Sequence, residues 1–150
     1  YACNGILFNH ESPRRPPDFV TRKITQGAVA IARGEETELR LGNLDAERDW
    51  CFAGDVVEGI AAMVESDAPG DYVLSSGATH SIRDVLDIAF GAVGMDWQQH
   101  VVVDERFVRP TEAISICGDP SKAERDLGWK RRVGFEDLIR LMVEADQQLT

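Results

Sequence analysis

Apolar residues fill most of the stretch from Ala2 to Phe8, and the chain turns abruptly polar at Asn9. Apolar side chains on both faces of so short a run predict a buried strand that needs neighbours on either side. No cap or turn precedes it, so the chain is expected to begin inside a domain. Pro13, Pro16 and Pro17 hold the next stretch out of helix. From about Phe19 onward, Ile24, Ala28, Ile31 and Ala32 recur at helical spacing, with Gly34 as the expected stop. Leu39 and Leu41 alternate with polar neighbours, which predicts a short strand before a turn at Gly42-Asn43. Asp45 to Trp50 reads as loop.

Asp55 to Glu65 predicts a helix whose apolar face is Val56, Ile60, Met63 and Val64, and Pro69-Gly70-Asp71 is turn chemistry. Tyr72 to Leu74 predicts a strand. Ser81 is placed to cap a helix carrying Ile82, Val85, Leu86, Ala89 and Val93. Val101 to Val103 is a β-branched strand, Arg106 to Glu112 a loop, and Ile114 with Ile116 a further short strand. Asp119-Pro120 opens a helix that ends near Gly128. Phe135 to Leu149 predicts a last amphipathic helix with Leu138, Leu141, Met142 and Ala145 as its stripe. Strands and helices alternate throughout, which indicates an α/β fold.

Composition narrows the function classes. At 150 residues and 43% hydrophobic, the chain is one domain with enough apolar material for a core. Its 26 acidic residues against 16 basic ones give a net charge of −10, so any polyanion must meet a local cluster of cations. No block of five like charges exists and the basic residues are not gathered into a groove, which argues against nucleic acid. Apolar runs are too short to span a membrane. Cys3, Cys51 and Cys117 are odd in number and widely spaced, which favours a reducing, cytoplasmic setting over a disulfide framework or a zinc site.

The densest chemistry follows the first strand. Asn9-His10-Glu11-Ser12-Pro13-Arg14-Arg15 holds an amide, an imidazole, a carboxylate and two guanidiniums, and Arg22-Lys23 adds a second cationic pair. Two readings are open. One is a strand that delivers anion-binding groups to a sheet edge, where open α/β folds keep their ligands; the other is a solvated charged loop. His80 and His100 read as structural, and Trp50, Trp97 and Trp129 as core aromatics. The three histidines are too far apart for a metal site, and no G-x-S-x-G supports a nucleophilic triad.

Further residues carry a resemblance. Asn4 to Arg15, Phe19 to Thr25, Leu41 to Asp45, Arg48-Asp49-Trp50, Thr79-His80-Ser81, Arg109 to Glu112, Gly118-Asp119-Pro120 and Leu127 to Lys130 stand in one order. Together they resemble the C-terminal part of the GDP-mannose 4,6-dehydratase family, within the extended short-chain dehydrogenase/reductases. The resemblance implies that residues 1–9 are the last strand of a Rossmann sheet and residues 10–150 the nucleotide-sugar-binding domain, without the N-terminal Rossmann half. In the intact family NADP takes a hydride from C4 of the mannose, water leaves across C5–C6, and the hydride returns at C6 to give GDP-4-keto-6-deoxymannose.

By resemblance, Asn9, Val20, Lys23, Arg48, Arg109 and Glu112 match positions that hold the GDP-sugar, and His10 and Arg15 match positions that contact NADP. None of the 13 glycines forms even a G-x-G pair, and neither Tyr1 nor Tyr72 has a lysine four positions on. The expectation is therefore weak affinity for GDP-mannose or GDP, no tight binding of NADP, no catalytic residue, and no turnover by this chain alone. The sequence departs from the family at Cys51, Phe52 and Gly54, where a glycine, a histidine and a lysine usually stand after Arg-Asp-Trp, and at Pro16-Pro17, where a glycine commonly follows the arginine pair. Those changes are expected to weaken the cation field beside Arg48. The rival expectation is a non-enzymatic interaction module that self-associates as a homo-oligomer through its exposed first strand. A third is that the chain is a piece of a longer enzyme, or that a separate polypeptide supplies the Rossmann half.

Overall fold

The computed structural model describes residues 1–108 and 115–149. The strands are β1 (Asn4–Leu7), β2 (Asn9–Glu11), β3 (Leu39–Leu41), β4 (Glu47–Arg48), β5 (Trp50–Phe52), β6 (Asp71–Leu74), β7 (His80–Ser81) and β8 (Val101–Val103). The helices are α1 (Val20–Ala32), α2 (Ala53–Glu65), α3 (Ile82–Ala92), α4 (Ser121–Leu127) and α5 (Phe135–Gln148), with single 3-10 turns at Trp97–Gln99 and Glu105–Phe107. Strands pair two by two: β1 with β6, β2 with β5 and β3 with β8, all parallel, and β4 with β7 antiparallel. Helices connect the parallel pairs, as α/β chains require.

Two cores hold these pieces. The larger packs α1, α3 and α5 around Leu39, Leu41 and Trp50. The smaller gathers Cys51, Val56, Met63, Tyr72, Leu74, Ala123 and Trp129 between α2, β6 and α4. Ile24, Leu86, Phe90 and Ile139 are fully enclosed, and each such side chain contributes about 1.5–3 kcal/mol by leaving water. Ser81 caps α3 as its sequence predicts, with a reciprocal box to Asp84. Gly34 and Gly128 close α1 and α4 at positive φ.

Several expectations need correction. The predicted first strand is shorter, Asn4–Leu7, and its four residues are exposed rather than buried; it ends at Phe8, whose N–H donates to the Leu74 carbonyl (3.2 Å), and β2, which was not predicted, follows against a different partner. The segment Asp45 to Trp50 is not loop throughout, because β4 and β5 pair with β7 and β2, partners too distant in sequence for alternation to reveal. On α2 the buried face is Val56, Gly59 and Met63, while Val64 is 73% exposed and Ile60 is exposed. A side chain at Gly59 would meet Leu74 at 2.8 Å, so a glycine rather than an isoleucine marks the inward face. On α5 the stripe is rotated: Leu138, Ile139, Met142, Val143 and Asp146 are buried and Leu141 is exposed. Asp146 lies on the inward face because it pairs with buried Arg22 at 2.8 Å. Ala32 is likewise exposed on α1, where Arg22, Thr25 and Val29 lie inward. The strand expected at Ile114 and Ile116 falls partly outside the described residues, and Ile116 is exposed coil.

Candidate functional site

A cleft of about 710 Å³ opens where β2, β4 and β5 meet the first turn of α1 and the turn after β3. Asn9 and Glu11 come from β2, Arg48 and Trp50 from β4 and β5, and Val20, Thr21 and Lys23 from α1. The floor is apolar and rigid. Trp50 stacks on Phe135 at 5.8 Å, and the His80 ring lies on the other partner of that stack, 3.7 Å from Phe135. Helix α1 starts without a side-chain cap at Phe19, so the positive end of its dipole faces the cleft beside Val20 and Thr21.

The charge balance in the cleft reverses that of the chain. Arg15, Lys23, Arg48 and Arg106 line it against Glu11 and Asp18. Glu11 is buried, accepts a hydrogen bond from the Thr21 hydroxyl at 2.7 Å, and faces Arg15 Nε at 3.3 Å. Burial pushes its carboxyl above the ordinary carboxylate value, although Thr21 and Arg15 pull the other way. Arg15 also lies over the Phe19 ring, 3.4 Å from its centroid. Arg48 Nη1 donates to the Glu47 carbonyl oxygen at 2.6 Å. Lys23 Nζ donates to the Arg40 carbonyl oxygen at 2.6 Å and sits 4.5 Å from the centroid of the Phe107 ring.

Asp49 fixes this arrangement from behind. It is buried and accepts from the backbone N–H groups of Ser76 (2.7 Å), Gly77 (3.2 Å) and Gly118 (3.0 Å). Its neighbours Arg48 and Trp50 thereby face the cleft from a clamped backbone.

Of the residues singled out from sequence, Asn9, Arg15, Val20, Lys23 and Arg48 share this one cleft. His10 is half-buried and does not line it; its Nδ1 hydrogen-bonds the Phe8 carbonyl oxygen at 2.9 Å. Arg109 and Glu112 lie outside the described residues. The departures at Cys51, Phe52 and Gly54 do not reach the cleft lining. Cys51 packs in the smaller core, and a side chain at Gly54 would collide with the Phe52 ring at 2.3 Å. From sequence, Glu11 was named only within the polar cluster after the first strand and Trp50 only as a core aromatic, which it also is, and Arg106 and Phe107 were not singled out as lining residues. The adjacent cation and ring of Arg106-Phe107, three residues before Arg109, was the available signal. Among the described residues no group of His, Cys, Asp or Glu could hold a metal ion, and no helix is long and apolar enough to cross a membrane.

Known proteins resemble this chain along nearly its whole length. GDP-mannose 4,6 dehydratase 1 of Arabidopsis thaliana is 52% identical over 149 residues, covering 99% of this chain and 41% of that protein. The human GDP-mannose 4,6 dehydratase is 43% identical over 166 residues, covering 99% of this chain and 45% of its own length. This chain thus spans less than half the length of these relatives. Among solved structures, RMD from Pseudomonas aeruginosa, complexed with NADPH, superposes with a TM-score of 0.88 at 19% identity, over 97% of this chain and 48% of its own. The UDP-glucose 4-epimerase of Thermus thermophilus, in complex with NAD, gives 0.78 at 25% identity, over 97% and 46%. These two share the fold of the epimerase and dehydratase branch of the short-chain dehydrogenase/reductases. The family profile for GDP-mannose 4,6 dehydratase matches residues 1–142, nearly the whole chain, and this protein belongs to that family.

Proposed function

We propose that this chain is the nucleotide-sugar-binding portion of a GDP-mannose 4,6-dehydratase. It would bind GDP-mannose or GDP in the cleft and depend on a Rossmann half for chemistry. The observation that carries this reading is the convergence of Asn9, Val20, Lys23 and Arg48, drawn from three separated segments, on one cationic cleft in a protein of net charge −10. Lysine and arginine suit a diphosphate, the second through its bidentate fork. Arg15 and the neighbouring His10 fit one margin of an NADP site. NADP, when bound, would supply the hydride exchange, and by family resemblance the tyrosine and lysine of the reaction would belong to the Rossmann half. Cytoplasmic residence belongs to the same reading.

The open side of β1 supports a partner. Among the described residues β1 pairs with β6 alone, and Ile6 on it is 52% exposed. A strand in that state takes another strand. The Rossmann half is the proposed occupant, in line with the 41% to 45% of their length that relatives share with this chain. The same edge supports the homo-oligomer as the second reading, and light scattering across a concentration series separates the two. A monomer at high concentration removes self-association.

Calorimetric titration of the chain with GDP-mannose, GDP and ADP tests the function. GDP and GDP-mannose are expected to bind and ADP not, with Arg48→Ala weakening affinity by about tenfold or more, the scale of one lost charged contact. A folded sample that binds none of the three overturns the proposal.

A further inference from the structure

We infer that Phe107 is a positioning residue for the Lys23 ammonium, holding it at the cleft with its charge undiminished. The inference rests on the nucleotide reading for the identity of the ligand, but the contact itself stands on geometry. The cations around the cleft are held in two different ways. Arg15 faces the Glu11 carboxylate at 3.3 Å. Arg106 is bound by Asp104 through two nitrogens, at 2.6 Å and 2.9 Å, and Arg40 reaches the same carboxylate at 3.6 Å. Those charges are offset by a neighbour of opposite sign. Lys23 has no carboxylate paired with it among the described residues; a carbonyl oxygen and an aromatic ring hold it instead. A carbonyl dipole and a ring quadrupole fix a cation in place without neutralising it. Lys23 is therefore both ordered and available to an anion.

Phe107 is fixed by the unit that supplies the carbonyl. The Asp104 N–H donates to the Leu41 carbonyl at 2.8 Å, and the Phe107 N–H to the Asp104 carbonyl at 3.0 Å. A Cβ on Gly42 would lie 2.4 Å from the Phe107 carbonyl oxygen, so only glycine lets the turn after β3 approach this closely. Arg40, Leu41 and Gly42 thus provide one support for Lys23 through the Arg40 carbonyl and seat the second through Phe107. A flexible lysine side chain that would otherwise sample many rotamers is held from two sides before a ligand arrives.

Two readouts test this. The chain has only three lysines, Lys23, Lys122 and Lys130, so reductive methylation with labelled formaldehyde gives few signals. The Lys23 dimethylamine resonance, assigned with Lys23→Arg, is expected to be shifted upfield by the ring relative to Lys130. Phe107→Leu should abolish that shift and Phe107→Tyr retain it, with folding of both verified by circular dichroism. An unshifted Lys23 signal in the wild-type protein overturns the inference without any ligand being involved. The second readout is GDP affinity in a double-mutant cycle. Phe107→Leu is expected to weaken GDP about fivefold, the scale of one cation–ring contact. It should have no further effect in a Lys23→Met background, because Phe107 acts through Lys23. Additive losses would mean that Phe107 touches the ligand or merely supports the fold, and they overturn the proposal. Absence of GDP binding alongside an intact ring shift overturns the nucleotide reading and supports the contact.

Discussion

Removing the Asp49 carboxylate should destabilise the protein more than any other single surface-distant polar change in the cleft wall. The side chain is 1% exposed and accepts three backbone N–H groups from two segments, Ser76-Gly77 and Gly118, far apart in sequence. Hydrogen bonds to a charged group are worth about 1.5–3 kcal/mol each, and a buried N–H left without an acceptor costs about 1–3 kcal/mol. Three such bonds share one acceptor and do not sum fully, so Asp49→Ala is expected to cost about 3–6 kcal/mol. That is a large part of the ~5–15 kcal/mol available to a domain. Asp49→Asn should cost less, about 1–3 kcal/mol, because one oxygen still accepts while the amide group meets a donor. Urea unfolding followed by tryptophan fluorescence measures both, with Trp50 next to the clamp as a probe. GDP affinity should fall in Asp49→Ala even at urea-free concentrations where it stays folded, since Arg48 and Trp50 lose their common anchor. An Asp49→Ala protein within about 1 kcal/mol of wild type would refute the view that this carboxylate ties the cleft to the smaller core.

Three further outcomes concern groups buried elsewhere. Asp146→Leu alone strands the buried Arg22 guanidinium and is expected to cost about 3–5 kcal/mol, whereas Arg22→Met with Asp146→Leu should be neutral or stabilising by about 1–4 kcal/mol; chemical denaturation of the three proteins decides, and a double variant weaker than the single one sinks the argument. Burial raises the Asp146 carboxyl above its ordinary value against the pull of Arg22. Its contribution to stability is therefore full below the unfolded pKa of about 3.9 and lost as pH rises through the folded value. A series of urea melts against pH should show that slope in the wild type and a smaller one in the double variant. Burial, then Asp55 and Asp49, pushes the Cys51 thiol up to about 11, so at pH 8 a disulfide reagent should label Cys51 only at the rate of unfolding, and fast native labelling would contradict its placement in the smaller core.

Elements with a local signal were legible and those defined by distant partners were not. Helix α3 shows the first case, since Ser81, Asp84 and the apolar spacing from Ile82 to Ala89 all lie within one short window. Strands β4 and β5 show the second. Each is two or three residues long, and each exists because β7 or β2 lies beside it. Helices α2 and α5 were found, but their faces were misjudged because Gly59 and Asp146 face inward for reasons that hydrophobicity does not register: one permits close packing and the other answers a buried arginine. In the cleft, Asn9, Arg15, Val20, Lys23 and Arg48 came together, His10 did not, and Arg109 and Glu112 lie outside the described residues, while Glu11 and Phe107 had been given no place in the site. A buried carboxylate and an aromatic ring acquire a role only through what lies across from them, Thr21 in one case and Lys23 in the other.

Under the proposed function, binding and catalysis fall to different parts of the surface. Among the described residues the cleft wall is held by this chain's own contacts: Asp49 clamps its back, the Trp50–Phe135 stack forms its floor, and the turn after β3 seats Phe107 against Lys23. The first sheet is in the opposite condition, with β1 bonded to β6 on one side and apolar side chains exposed. A surface finished by internal contacts needs no partner to hold its geometry, whereas an open strand gains hydrogen bonds and apolar burial only by acquiring one. Under the proposed function, affinity for the GDP moiety should therefore belong to this chain by itself. Turnover should follow the strand added at β1, and adding the Rossmann half should raise catalytic rate from zero while changing GDP affinity far less.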